Sequence, residues 1–115
     1  MVGDTVSDRR NYFRLEYPRA ERPVVRYKGC EYKVSEVSER GIKLLKDQEC
    51  TVCAGQSFAG VILFKDGVTV SIVGVVVRSD EKEMVVELTK GINLGRMTEE
   101  QRRIRQKYPM YFDTA

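Results

Sequence analysis

The sequence predicts a mostly β protein: a small six- or seven-stranded antiparallel β-barrel with one short C-terminal helix and a flexible N-terminal arm. Three observations carry that expectation. Short apolar, β-branched runs recur along the middle of the chain with period-two alternation. Tight-turn dipeptides, Lys28-Gly29 and Asp66-Gly67, separate pairs of these runs. A helical pattern appears only near the C-terminus, where Pro109 stops it. Many short strands joined by tight turns, with no interleaved helices, argue for a small barrel or sandwich rather than an α/β fold.

Residues 1–8 show no periodicity and read as a mobile arm. The arm continues through Arg9-Arg10-Asn11-Tyr12-Phe13-Arg14, so residues 1–14 form an arginine-bearing arm and 15–115 the barrel with its helix. Pro18 and Pro23 bracket a polar turn. Val24–Tyr27 and Cys30–Val34 then form a hairpin. Glu36-Val37-Ser38-Glu39-Arg40-Gly41 reads as a polar turn, with a Ser hydroxyl able to bond local backbone and a Gly free to take positive φ. By itself it would be an ordinary solvated turn. Ile42–Lys46 is a short strand, and 47–56 a polar connection. Ser57–Phe64 and Val68–Arg78 form a second hairpin, with a primed turn expected at Asp66-Gly67. Gly74, inside the longest β run, signals a bulge or a close backbone approach. Met84–Leu88 is the last strand. Thr98 and Gln101 have capping-box spacing, so the helix is expected to begin at Thr98 and to carry Ile104 and Tyr108 on one face, with a solvated basic face.

Composition narrows the function. At 115 residues, 42% apolar and 32% charged, the chain is one globular domain. It contains no apolar run of membrane-span length and no signal sequence, which leads to the expectation of a cytoplasmic protein without a membrane partner. Net charge is +3 but uneven: residues 8–33 carry eight Lys/Arg against four Asp/Glu, residues 96–107 five against two, and residues 34–95 seven against nine. Such a distribution suits a small anionic ligand better than a nucleic acid polymer. The chain has no His, which removes the commonest general base and metal ligand. A single CxxC, Cys50 to Cys53, with Cys30 elsewhere, supplies too few zinc ligands; the three read as buried or incidental thiols, with a redox or intersubunit metal role as the alternative, and neither a metal nor a catalytic site is expected.

Arg9, Arg10 and Arg14 are fixed cations with planar donor forks, suited to phosphate oxygens, to the O6/N7 edge of guanine, and to stacking on flat rings. An Arg-Arg-x-x-x-Arg arm followed by an acidic-x-Ser-x-x-Gly turn resembles the PilZ domain family, receptors for the bacterial second messenger cyclic di-GMP. The resemblance extends over roughly residues 8 to 108. It implies a binding module without catalysis, no cofactor, cyclic di-GMP as ligand, and a downstream protein partner reached by rearrangement of the arm. Carried over by position, it implies a ligand-binding set of Arg9, Arg10, Arg14, Glu36, Ser38 and Gly41. On the late strand, where the family often has a stacking aromatic, this chain has Val77 and Arg78, and Arg78 is the expected substitute. Glu36 departs from the family's Asp or Asn. Its extra methylene can leave guanine donors unpaired at about 1–3 kcal/mol each, roughly ten- to hundredfold in affinity. Two alternatives follow. One is a degenerate PilZ-type adaptor that works through protein–protein contacts in pilus or motility machinery. The other is a small barrel binding single-stranded nucleic acid through Tyr12, Phe13, Tyr27 and Tyr32.

Overall fold

The computed structural model describes residues 14–46 and 52–109. Arg9, Arg10, Tyr12, Phe13 and Cys50 lie outside the described residues. Among the described residues seven strands and one α-helix run in order: β1 (Arg14–Glu16), a 3-10 turn (Arg19–Glu21), β2 (Val24–Tyr27), β3 (Cys30–Ser38), β4 (Gly41–Leu45), β5 (Ser57–Leu63), β6 (Thr69–Ser79), β7 (Glu83–Lys90) and α1 (Leu94–Lys107). All pairings are antiparallel. Six strands close a barrel in the order β3-β2-β5-β6-β7-β4, with β4 pairing back onto β3. Closure removes the open edges that an isolated sheet would present.

β1 is the extra strand. β2 uses one edge of β3 only over Cys30–Lys33, and β1 takes the same edge further on, pairing Arg14 with Ser38 and Glu16 with Glu36. Three residues make a weak strand by themselves. What holds β1 is Leu15, fully buried between two exposed neighbours, and the buried Tyr17 just after it. Burying a leucine contributes about 1.5–3 kcal/mol.

Alternating inward residues fill the barrel, among them Val25, Tyr32, Leu44, Ile62, Ile72 and Val86. Two of the three bulges among the described strands re-aim side chains at the outer face. In β3 the pairing with β4 shifts between Val34 and Glu36, so Ser35 is the extra residue. Unbroken alternation from Tyr32 and Val34 would aim Glu36 into the core; the bulge turns Val37 inward instead and leaves Glu36 and Ser38 half-exposed. In β6, Val76 opposes Val86 and Arg78 opposes Val85, so Val77 is extra and both Val77 and Arg78 face outward.

The first hairpin forms as expected: Lys28 and Gly29 both have positive φ, the primed geometry. The second differs. Lys65-Asp66-Gly67 is a three-residue loop in which only Gly67 has positive φ, closed by Phe64 N–H to the Val68 carbonyl at 2.9 Å. The Asp66 carboxylate accepts from Val68 N–H (3.2 Å) and binds Arg96 (2.7 Å). Gly74 meets both expectations: β7 is bulged opposite it, and a Cβ there would lie 2.1 Å from the Glu87 carbonyl oxygen.

The helix begins earlier than its Thr98 signal. Asn93 is the cap, its side-chain oxygen accepting from Arg96 N–H at 2.8 Å. α1 buries Met97, Glu100 and Ile104 against the barrel. Its basic side is not simply solvated. Arg96 binds Asp66 and Glu100 and lies 4.6 Å over the Phe64 ring; Arg103 binds Glu21 at 2.7 Å and Glu100 at 3.3 Å. Tyr17 donates to Glu100 at 2.7 Å, so the residue after β1 is tied directly to the helix. Cys30 is disulfide-bonded, contrary to the expectation of buried or incidental thiols, whereas Cys53 is a free, exposed thiol. No helix among the described residues is long and apolar enough to cross a membrane.

Candidate functional site

A cleft of about 350 Å³ lies on the outer surface of the barrel, across the neighbouring strands β1, β3, β4, β7 and β6. Strand pairing assembles it from residues far apart in the chain. The β1–β3 register sets Arg14 opposite Ser38, and β4 folds back so that Lys43 stands opposite Glu36. The β6 bulge delivers Val77 and Arg78 to the far wall.

Glu36 is the centre of the electrostatics. Arg14 Nε lies 3.1 Å from one of its oxygens and Lys43 Nζ 3.8 Å from the other. The carboxylate side chain is 17% exposed, Lys43 is 35% exposed and Arg14 is 71% exposed. Arg14 is therefore the partner with most freedom to turn toward a ligand.

Ser38 closes the β3–β4 hairpin. Its hydroxyl accepts from Gly41 N–H at 3.0 Å and donates to the Gly41 carbonyl at 3.1 Å. Gly41 does not have positive φ. Its requirement is space: a Cβ would stand 3.1 Å from the Val86 carbonyl oxygen, and without one the floor of the cleft is bare backbone. Arg78 is held along the rim by an ion pair with Glu83.

Of the residues singled out in the sequence, Arg14, Glu36, Ser38, Gly41 and Arg78 all line this one cleft. Arg9 and Arg10 lie outside the described residues. Sequence reasoning missed Arg40, Lys43 and Glu87, which also line it. Lys43 had a signal, since it is two residues beyond Gly41 on an alternating strand and so shares its face. Glu87 had none; only its pairing with Gly41 brings it there. The described lining sets four cations, Arg14, Arg40, Lys43 and Arg78, against two carboxylates, Glu36 and Glu87. Cations over a bare backbone floor, with carboxylate acceptors beside them, suit a planar ligand bearing phosphates. Among the described residues no cluster of His, Cys, Asp or Glu is placed to hold a metal.

No protein-family model matches the sequence, and no curated protein is similar to it. Solved structures are. The PilZ domain of YcgR from Escherichia coli, determined with cyclic di-GMP, superposes with a TM-score of 0.65 at 14% identity, over 93% of this chain and 99% of that one. This chain has the PilZ fold. The inhibitor of motility MotI (DgrA) of Bacillus subtilis matches with a TM-score of 0.62 at 17% identity over 90% of this chain; the chain spans 52% of its length. An uncharacterised Legionella protein matches with a TM-score of 0.56 at 16% identity, over 85% of this chain and 99% of that one. At these identities the likeness is one of architecture: the PilZ fold carries the cleft, and the side chains lining it are this chain's own.

Proposed function

We propose that the protein is a cyclic di-GMP receptor whose ligand is held by Arg9, Arg10 and Arg14 from the arm and by Glu36, Ser38, Gly41 and Arg78 from the barrel. The observation that supports this most directly is the β1–β3 register, which sets Arg14 beside Glu36 and opposite Ser38. Two stretches separated by some twenty residues thereby share one cleft. In this reading the arginines take the phosphates and the guanine O6/N7 edge. Glu36 accepts from the guanine N1–H and N2–H donors, Gly41 lets the ligand approach the backbone, and Arg78 stacks on a base in place of an aromatic. Binding draws the arm onto the barrel and presents a new surface to a protein partner in the cytoplasm. The site performs no catalysis and uses no cofactor.

Calorimetric titration with cyclic di-GMP tests the proposal. The native protein is expected to bind saturably, Arg14→Ala to lose binding by at least about a hundredfold, since two charge-assisted bonds are removed, and Glu36→Asp to retain it. Absence of binding by the native protein refutes the receptor reading.

One observation favours a second reading. Glu36 is already paired with two cations, Arg14 and Lys43, so the cleft partly satisfies itself. A degenerate adaptor that works through protein contacts would look like this. It is supported if only Glu36→Asp binds the nucleotide.

A further inference from the structure

Glu36 is held by two cations that differ in kind. Arg14 comes from a three-residue strand and is 71% exposed. Lys43 comes from inside β4, directly opposite Glu36 in the β3–β4 ladder, and is 35% exposed. Its backbone is also fastened at the bulge, where the Ser35 hydroxyl donates to the Lys43 carbonyl at 3.3 Å. Lys43 is therefore part of the same rigid feature that turns Glu36 out of the core, whereas Arg14 is a visitor to it.

We infer that Lys43 is the positioning residue that holds Glu36 ready to accept hydrogen bonds from a guanine base, a role that rests on the receptor reading. When Arg14 turns onto a phosphate, Glu36 loses its closer cation, at 3.1 Å. Lys43, whose 3.8 Å separation is a charge contact with room to shorten, keeps the other oxygen oriented. The longer reach of glutamate relative to aspartate then becomes useful, because the carboxylate spans from Lys43 to the base edge. The chemistry makes the role specific. Guanine offers two donors, N1–H and N2–H, to a carboxylate; adenine offers an acceptor, N1, at the same place. A residue that orients Glu36 acts on base discrimination, whereas one that merely adds positive charge strengthens every dinucleotide equally.

Two measurements on the full chain decide it. The first needs no ligand: side-chain scalar couplings of Glu36 by NMR. A single fixed rotamer is expected in the native protein and in Arg14→Ala, and averaged couplings in Lys43→Met. Unchanged couplings in Lys43→Met, or averaging in Arg14→Ala alone, overturn the inference. The second is calorimetry with cyclic di-GMP and cyclic di-AMP. Lys43→Met is expected to weaken cyclic di-GMP by about tenfold or more and cyclic di-AMP hardly at all, with Lys43→Arg restoring the ratio. Equal weakening of both ligands also overturns it. Binding of neither ligand by the native protein refutes the receptor reading and the guanine role with it, and the couplings alone still report whether Lys43 fixes Glu36.

Discussion

Ser38 and Gly41 carry two duties each, and the duties have separable consequences. The Ser38 hydroxyl makes both of its bonds to Gly41, so it closes the hairpin whether or not a ligand is present. Ser38→Ala is expected to destabilise the protein by about 1 kcal/mol, measured by urea denaturation, with the hairpin tip the first region to lose amide protection. Gly74 is the most constrained glycine of the barrel, because a Cβ would come within 2.1 Å of one backbone atom, the Glu87 carbonyl oxygen, and 3.0 Å of another, Leu88 Cα. Backbone cannot swing aside as a side chain does. Gly74→Ala is expected to cost about 3 kcal/mol or more, well beyond Gly41→Ala, where the nearest atom is 3.1 Å away. Equal midpoints for the two variants would contradict this.

Among the elements, α1 is secured by charge as much as by apolar contact. Glu100 is fully buried and meets Tyr17, Arg96 and Arg103; Glu21 is nearly so and meets Arg103, Lys107 and Tyr108. Removing one member strands the rest in a poorly solvated place. Glu100→Ala is expected to cost about 3–5 kcal/mol, and Tyr17→Phe about 1.5–3 kcal/mol through loss of one bond to a charged group. Both are read by chemical denaturation. The Glu21 carboxyl is held at about 2, against an ordinary 4.5, chiefly by its bonds to Lys107 and Arg103. Since the unfolded chain binds the proton first, this contribution to stability is full above about pH 5.5 and disappears as pH falls through 4.5 toward 2. Glu21→Gln is expected to flatten that acid limb of a stability–pH curve. At the other extreme, burial and the bond to Glu100 push the Tyr17 hydroxyl far above its ordinary value near 10. The unfolded chain releases that proton first, so stability falls as pH rises past 10.

For the whole molecule, closure of the barrel is what makes a site out of separate strands. β1 and β2 share one edge of β3 while β4 occupies the other, so the cleft and the helix network meet at β1: Arg14 lines the cleft, and Tyr17 reaches α1. In the receptor reading, ligand binding stabilises the folded state by mass action. At a hundredfold excess over Kd the gain is about 2.7 kcal/mol, which for a domain of this size raises Tm by roughly 10 °C. Thermal unfolding with cyclic di-GMP is expected to show that rise in the native protein and at most about 2 °C in Arg14→Ala. A full rise that survives Arg14→Ala would mean that the nucleotide binds elsewhere.

By itself the sequence determined the architecture and five of the residues that line the cleft. Period-two runs, turn dipeptides and one late helical segment are local signals, and each depends only on residues a few positions apart. Arg14, Glu36, Ser38, Gly41 and Arg78, which all line the cleft, were legible through the resemblance of their motifs to the PilZ family. Tertiary structure decided the rest. The helix start lay hidden behind Gly95, a poor helix former just after the Asn93 cap. Glu36 read as a turn residue because the Ser35 bulge, which keeps it in strand yet outside the core, exists only in the pairing of β3 with β4. Lys43 and Glu87 join the cleft through cross-strand register, and Glu100 is buried because Tyr17, Arg96 and Arg103 meet it there. Local pattern specifies which way a side chain points along its own strand. Which charges stand opposite one another is a property of the closed barrel, set by pairings between residues that no short-range signal connects.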